Sequence, residues 1–393
     1  MDNQPPHSAK VARYLLEGGA VLLLLALVAT LGVLHFTRPP ALYAGQDASL
    51  EQTVQARVLK VQQEDSTTDE SGLVQISQTL ELEILTGEHQ GQQVTVQYGG
   101  MGPRLRDVQF RPGERALVMV SKNPLTGEMT FAVADHVRLW PLGALAAVFA
   151  LATVLVGKWQ GLRALVGLLL SLALIAGFIM PQILAGRDPM PVSLIGTALL
   201  MAVTLYMIQG WNPAGHSALL GMLGSLGITA LLAIFWTSVA HLTGFGSEET
   251  LYLQATGVTL DMHGLLLAGI VIGAAGVLDD VVLAQAVTTF ELAEVDPTLG
   301  FRELYRRSMK VGNAHLASMV NTLILAYASV ALPLLILFNL YPEPWYLTLN
   351  REFIAEEIVR TLVGSLGLLL AVPLTTVIAT WAALKSEAVS AEG

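Results

Sequence analysis

The 393-residue chain is 53% hydrophobic and only 13% charged, with a formal net charge of -10. Soluble chains carry about 25% charged residues, so this composition predicts a polytopic membrane protein. No basic patch stands out among the acids, which argues against nucleic acid as a partner. The chain has no cysteine, and this excludes disulfides, thiolate metal sites and cysteine nucleophiles.

The N-terminal region contains the first predicted membrane segment. Residues 1–13 are polar and include Lys10 and Arg13, whereas residues 14–36 are apolar. This run is longer than the apolar region of a typical signal peptide, and no clear cleavage site follows it before Arg38. We therefore expect a cytoplasmic N-terminus at residues 1–13 and an uncleaved transmembrane anchor at residues 14–36.

Residues 41–136 form the only sizeable soluble part that the sequence predicts. Apolar and polar side chains alternate in the stretches 54–61, 78–85, 93–98, 115–120 and 129–133, and turn sequences separate them. Five short strands in about 90 residues indicate a small all-β domain, an antiparallel barrel of OB-like type. Aromatic and basic residues that could grip a polymer are sparse. A structural cap or assembly surface is therefore favoured over a ligand-binding barrel.

Seven further apolar segments fill residues 139–384, each near the ~20 residues that cross a bilayer core. They span residues 139–156, 162–184, 191–209, 214–241, 262–290, 314–340 and 361–384. With the anchor, they predict an α-helical membrane protein of about eight transmembrane helices. Basic residues collect on one side of this arrangement, at Lys158, in the turn from Arg302 to Lys310 and at Lys385. The positive-inside rule then predicts cytoplasmic termini, including a tail at residues 385–393, and an extracytoplasmic β domain.

Small residues recur at helical spacing in two of these segments. Gly221 and Gly224 lie in the segment 214–241, and Gly269, Gly273 and Gly276 lie in the segment 262–290. Glycines three or four residues apart allow membrane helices to approach closely. We therefore predict that these glycines pack against neighbouring helices.

Polar side chains in two consecutive segments mark the candidate site. Asp279 and Asp280 interrupt the segment 262–290, and His315, Asn321 and Thr322 lie in the next segment. Ionisable and amide groups are costly inside lipid, so they usually face a bundle interior. Asp280 and Asn321 lie at similar depths from the cytoplasmic face, about 12 Å for Asp280 at 1.5 Å per residue. A contact between these two side chains is therefore predicted.

Three interpretations of these polar residues remain open. They could form an ion or proton relay along a transport path, with one carboxylate at its centre. They could bind a divalent cation through the two acids, His315 and backbone carbonyls. Because these ligands are few, we assign no metal and no other cofactor. They could also form a structural cluster that ties the two helices together. Adjacent helical residues point about 100° apart, so Asp279 and Asp280 cannot both face one point.

At these residues the chain resembles the YibE/F-like family of bacterial multi-pass membrane proteins. The glycine-rich stretch 273–281, which ends with the two aspartates, is similar to one block of that family. Residues 311–318 and 320–327 resemble a second block, and residues 355–364 and 371–376 are similar to the last helix. The resemblance covers most of the chain and implies an anchor, an outer β domain and a helical bundle in the bacterial cytoplasmic (inner) membrane. The sequence departs from the family pattern at Asn313 and Ala314, where an arginine–aspartate pair is expected, and the family implies no settled activity.

Two functions follow as expectations. The first is a permease or exporter of unknown substrate, in which Asp279, Asp280 and Asn321 line a polar path and the outer β domain receives or gates the solute. The alternative is a non-catalytic envelope scaffold whose β domain docks a partner. An enzyme is not expected, because no nucleophile and base can be paired and the two acids are consecutive rather than on separate segments. The expected partners are membrane lipids and a second copy of the chain or an envelope protein.

Overall fold

The computed structural model describes residues 52–68, 74–99, 109–122, 128–255, 259–340 and 343–392. The predicted anchor at residues 14–36 lies outside these ranges. The chain divides into two compact units. One contains the strands and the first turns of the following helix, up to Thr153, and the other contains the helices from Val154 onwards.

Five antiparallel strands build the β domain. They are β1 (Gln52–Thr68), β2 (Val74–Ile84), β3 (Gln93–Gly99), β4 (Arg115–Lys122) and β5 (Met129–His136), in the spatial order β3-β2-β1-β4-β5. β3 and β5 approach each other across the remaining gap, so the sheet is nearly closed into a barrel. The prediction of a small all-β domain before the helices of residues 139–384 is confirmed.

Alternation of side chains along the strands forms the interior of this near-barrel. Val54, Ala56 and Val58 of β1 are buried, as are Leu80 and Leu82 of β2, whereas the residues between them are more exposed. Burying one such aliphatic side chain stabilises a fold by about 1.5–3 kcal/mol. A strand with this period-2 pattern cannot shift by one residue without turning its apolar side chains to water.

Gln78 is the one polar side chain inside this apolar core that the described residues show. Its Oε1 accepts a hydrogen bond from the backbone N–H of Phe110 at 2.8 Å, and its Nε2 donates to the carbonyl oxygen of Phe110 at 3.3 Å. Phe110 is itself only 1% exposed. Gln78 therefore supplies the hydrogen bonds that a backbone segment outside the sheet would otherwise lack.

The second part of the chain is helical. Its helices are α1 (Leu139–Leu174), α2 (Met180–Leu184), α3 (Pro189–Gln209), α4 (Pro213–Val239), α5 (Glu248–Ala255), α6 (Met262–Val295), α7 (Phe301–Val330), α8 (Leu332–Leu340), α9 (Trp345–Leu349) and α10 (Glu352–Glu392). A π-helical turn, Ile175–Ile179, joins α1 to α2. Residues 385–392, predicted as a tail, continue α10.

Five helical stretches among the described residues are long and apolar enough to cross a membrane. They are Leu139–Leu184, Pro189–Gln209, Pro213–Val239, Met262–Val295 and Glu352–Ser386. The first has 46 residues and is interrupted at Lys158, where φ is 49° and ψ is -124°. Lys158 lies between the first two segments that the sequence predicts. The membrane protein is confirmed, and the count of eight crossings stays a prediction.

Helices α4 and α10 pack through small residues in two reciprocal contacts. A Cβ added to Gly221 of α4 would lie 2.4 Å from Oγ1 of Thr375, and a Cβ added to Gly367 of α10 would lie 2.1 Å from Oγ1 of Thr229. The two contacts are eight positions apart on each helix, from Gly221 to Thr229 and from Gly367 to Thr375. Each glycine thus accommodates a threonine of the other helix, and the contacts fix the antiparallel register of the pair.

Candidate functional site on helix α6

Helix α6 carries both aspartates and lies at the centre of the described bundle. It contacts α3, α4, α7 and α10. Its buried ridge includes Val271, Ala275, Leu278 and Val282, which pack with apolar residues of α3, α4 and α10. Asp280 lies about midway along the helix, more than two turns from either end, as a polar site within a membrane span requires.

The opposite side of α6 is an exposed stripe of small residues around Asp280. Gly269, Gly273, Gly276, Asp280 and Ala284 are all exposed, and their spacing of three or four residues places them on one face. Among the described residues, no atom lies within 4 Å of a Cβ added at Gly269 or Gly276. The carboxylate of Asp280 therefore stands in a shallow furrow that the described residues leave open. We call these five residues the α6 stripe.

Apolar contacts border the α6 stripe on both sides. On one side Leu283 packs against the core cluster that contains Met201 and Leu205 of α3. On the other side Val281 packs with Leu316 of α7 and Val372 of α10. Asp279 lies at the edge of the furrow and is partly buried, so the two carboxylates have different surroundings, as their divergence on the helix predicts.

Helix α7 turns its apolar residues towards the rest of the bundle. Its inward face follows Ser308, Gly312 and Leu316 at intervals of four residues, and Met319 and Leu323 continue this face. Asn321 lies two positions from both Met319 and Leu323, so it points about 200° away from them. Packing therefore turns the apolar side of α7 inwards, and the contact between Asp280 and Asn321 stays a prediction.

The other predicted residues of α7 are also outside the bundle core. His315, Asn321 and Thr322 are exposed, and the hydroxyl of Thr322 donates to the carbonyl oxygen of Ser318 at 3.1 Å. Among the described residues, no hydrogen bond joins these three side chains to Asp279 or Asp280. Any role of these three residues in a relay stays a prediction.

The predicted packing glycines lie in two different settings. Gly221 and Gly224 of α4 face Thr375 and Leu374 of α10, and a Cβ added at Gly224 would lie 2.9 Å from Leu374 Cδ2. Gly269, Gly273 and Gly276 of α6 instead form part of the exposed stripe. Within the described residues, close helix approach occurs at the first pair and not at Gly269 or Gly276.

Gln285 forms a buried polar junction that sequence reasoning missed. It is 4% exposed, and its Nε2 donates to the carbonyl oxygen of Ser308 at 3.0 Å and to Oγ1 of Thr376 at 2.8 Å. A Cβ added at Gly312 would lie 2.7 Å from its Oε1. One amide thus ties α6 to α7 and α10. A single glutamine within an apolar segment could have indicated this junction. The two aspartates nearby are a stronger indication of a polar site, because they are ionisable.

A second missed cluster joins the start of α10 to the chain after α4. Oε1 of Glu352 accepts hydrogen bonds from the backbone N–H of Thr243 at 2.5 Å, from its hydroxyl at 2.6 Å and from the N–H of Gly244 at 3.1 Å. Glu356, one turn later, is 6% exposed and accepts from the N–H of Gly246 at 3.1 Å. These donors and acceptors are more than 100 positions apart in the chain, so no local pattern could reveal them.

Ion pairs stabilise the charged turn between α6 and α7 together with the first turns of α7. Glu303 accepts from Arg306 at 2.6 Å and from Arg307 at 2.9 Å, and these hydrogen bonds lower the pKa of Glu303 from 4.5 to about 2. Arg307 also lies 3.5 Å from Asp296. All these groups are substantially exposed, so each pair contributes little stability. The turn is nonetheless an ordered, predominantly basic surface.

The chemistry available to this site is that of carboxylates in an apolar furrow. Among the residues that the structure describes, no group of three or more His, Asp or Glu side chains could hold a metal ion. Asp280 is exposed on a face formed otherwise by glycine and alanine. Such a carboxylate can attract a cation or accept a proton, and the small neighbours leave room for a ligand or another helix.

Two family models match the chain. The model described as YibE/F-like protein matches residues 145–385. The model described as YibE/F family N-terminal domain matches residues 49–133. No curated protein and no solved structure matches.

Proposed function

The chain belongs to the YibE/F-like family, and on that premise we propose that it is a permease or exporter of the bacterial cytoplasmic membrane. Asp280 on the α6 stripe is the central group of its polar path, with Asp279 at the edge. The observation that carries this proposal is an exposed carboxylate midway along a candidate membrane span, surrounded by glycine and alanine. A carboxylate facing lipid would be costly, so the furrow is better explained as a path for a polar solute or ion.

The proposed arrangement in the membrane has eight crossings, with both termini in the cytoplasm and the OB-like β domain outside. The 46 residues of Leu139–Leu184 exceed what one crossing of about 30 Å needs, and the break at Lys158 allows two crossings. The basic turn at Arg302, Arg306 and Arg307 then lies in the cytoplasm. This orientation is supported by charge alone.

Single cysteines test the orientation without background, because the chain has no cysteine of its own. Glu88→Cys, in the exposed turn between β2 and β3, should react with a membrane-impermeant maleimide added outside intact cells. Arg302→Cys should react only after permeabilisation. The reverse labelling pattern would refute the proposed orientation.

Flux in proteoliposomes tests the transport function. We expect purified wild-type protein to carry ions or protons down an imposed proton, sodium, potassium or chloride gradient, measured with entrapped ion-sensitive dyes. Asp280→Asn should reduce this flux at least tenfold, because the amide removes the charge while keeping the shape. Glu294→Gln, which removes an exposed acid near the end of the same helix, is the matched control and should retain the flux.

Two results would overturn the transport function. The transport function is refuted if wild-type protein gives no more flux than the leak of empty liposomes under every one of these gradients. Equal flux through wild type and Asp280→Asn would remove the role of Asp280. In both cases the elution of the variants as a single folded species must first be established.

A scaffold is the second candidate, and the independent core of the β domain favours it. Residues of this domain form a hydrophobic cluster of their own, so the domain is suited to docking an envelope protein. Deleting residues 44–134 should abolish co-purification of a partner if the chain is a scaffold. A permease with a self-contained bundle would keep measurable flux after the same deletion.

A further inference from the structure

A cleft in the β-domain unit is not used by the proposed transport path. Gln55, Glu114, Arg115 and His136 line its polar side, and Leu139 and Trp140 line its apolar side. Its volume is about 900 Å³. A cleft of this size with few polar groups and an apolar wall matches the general character of small-ligand sites.

Its position relative to the membrane follows from continuity of the chain. The apolar wall consists of the first residues of the stretch Leu139–Leu184, which is long and apolar enough to cross a membrane. Leu139 is 69% exposed and Trp140 is 82% exposed. Tryptophan at the end of a spanning helix typically lies at the level of the lipid headgroups. The cleft therefore opens where phospholipid headgroups are the most abundant molecules.

Arg115 is the arginine that lines the cleft, and Arg57 on the neighbouring strand lies beside it. Arg115 of β4 lies directly opposite Arg57 of β1 in the antiparallel register, and both side chains are exposed. Directly opposed residues have their Cβ atoms about 5 Å apart, and like charges in this position repel each other. No ion pair of Arg115 occurs among the described residues. An anion between the two guanidinium groups would relieve their repulsion.

The nearby carboxylate of Glu114 does not act as this anion. An oxygen of Glu114 accepts a hydrogen bond from the backbone N–H of Arg111 at 2.9 Å, and the same oxygen lies 4.0 Å from Nδ1 of His136. Glu83 lies opposite Arg57 on the other neighbouring strand, so it is placed away from Arg115. Within the described residues neither arginine forms an ion pair, and guanidinium groups bind phosphate through paired N–H bonds.

We propose that this cleft binds the phosphate headgroup of a membrane phospholipid, with Arg57 and Arg115 on the phosphate and Trp140 against the glycerol and upper acyl chain. The site would attach the β domain to the membrane surface at the N-terminal end of α1. It does not depend on the transport function, since all its residues belong to the β-domain unit.

Lipid binding to the full chain tests this site. Delipidated protein in detergent is titrated with dihexanoyl-phosphatidylglycerol, and the bound adduct is measured by native mass spectrometry. Dihexanoylglycerol, which lacks the phosphate, and inorganic phosphate, which lacks the lipid, are titrated in parallel. We expect the phospholipid to bind more tightly than both.

Charge-removing variants test the residues. Arg57→Gln and Arg115→Gln should each weaken phospholipid binding about tenfold, the loss expected for one charge-assisted hydrogen bond. Arg111→Gln removes an exposed arginine of the same domain outside the cleft and should leave binding unchanged. Trp140→Ala should weaken the phospholipid adduct but not the weak binding of inorganic phosphate.

Several outcomes would overturn the assignment. Wild-type affinity in the folded Arg57→Gln/Arg115→Gln protein, or equal losses in Arg111→Gln, would show that these arginines do not form the site. Equal binding of dihexanoylglycerol would show that the phosphate is not recognised. Inorganic phosphate binding as tightly as the phospholipid would show a phosphate site rather than a lipid site.

Discussion

The contact between Gly221 and Thr375 gives the sharpest test of how the helices pack. We consider Gly221→Ala, which adds one methyl group to the face of α4 that meets α10. The new Cβ would lie 2.4 Å from Oγ1, 3.0 Å from Cβ and 3.2 Å from Cα of Thr375. The last of these atoms belongs to the backbone, so rotation of the threonine side chain cannot relieve the contact. The two helices must move apart.

The magnitude follows from two opposing effects. Inserting a methyl group into a well-packed interior costs about 1–3 kcal/mol, while replacing glycine by alanine within a helix stabilises it by up to about 1 kcal/mol. The steric cost is at the upper end of its range, because the contact repeats at Gly367 and Thr229 and separation strains both. We expect Gly221→Ala to lower the free energy of unfolding by about 1–2 kcal/mol.

The chain offers a matched control on the same helix. No atom of the part of the chain that the structure describes lies within 4 Å of a Cβ added at Gly227, so Gly227→Ala should be neutral or slightly stabilising. The assay is the loss of the monodisperse species on heating in detergent, followed by size-exclusion chromatography. Gly221→Ala should lose it at a temperature several degrees below wild type. Equal stability of the two variants would refute the packing described for α4 and α10.

Three further predictions concern hydrogen bonds. Gln78→Ala leaves the buried N–H of Phe110 without an acceptor and should destabilise the β domain by about 1–3 kcal/mol. The full chain is heated and the β signal is followed by circular dichroism. An unchanged unfolding transition would contradict this prediction. The pKa of Glu303 is lowered, so its ion pairs are fully present above the ordinary value of 4.5 and are lost as the pH falls towards 2. A carboxyl titration by NMR should give a midpoint near 2, and this midpoint should rise in the Arg306→Gln/Arg307→Gln variant. A wild-type midpoint near 4.5 would argue against these hydrogen bonds. Glu352→Ala removes the acceptor for Thr243 and Gly244 and should accelerate hydrogen exchange of these two amides, whereas Glu357→Ala should not, and equal exchange in both variants would count against this attachment.

The β domain was predictable because its strands follow a local rule. Side chains of a half-buried strand alternate between apolar and polar, so the stretches 54–61 and 78–85 could be recognised from their own residues. Strand order was not predictable, because it depends on which strands meet in space. Gln78 shows the limit clearly, since its partner Phe110 is 32 positions away.

The candidate site was predicted only in part. Asp279 and Asp280 stand out because acids inside an apolar segment are costly wherever the helix lies. The partner of Asp280 could not be derived from matched depth, because depth does not specify rotation of a helix about its axis. The apolar residues Leu316, Met319 and Leu323 set that rotation, and they turn Asn321 outwards.

The amino-acid sequence by itself determined that this is a membrane protein, the small β domain, the family resemblance and the position of the two aspartates. Each depends on composition, periodicity or a short motif, which are properties of consecutive residues. Only the tertiary structure decided that Gly221 packs against Thr375 while the described residues leave Gly276 open, and that Gln285 links α6 to α7. These outcomes depend on the rotation of each helix about its axis and on the register between helices. Both are set by side chains distant in the sequence that compete for the same interior space.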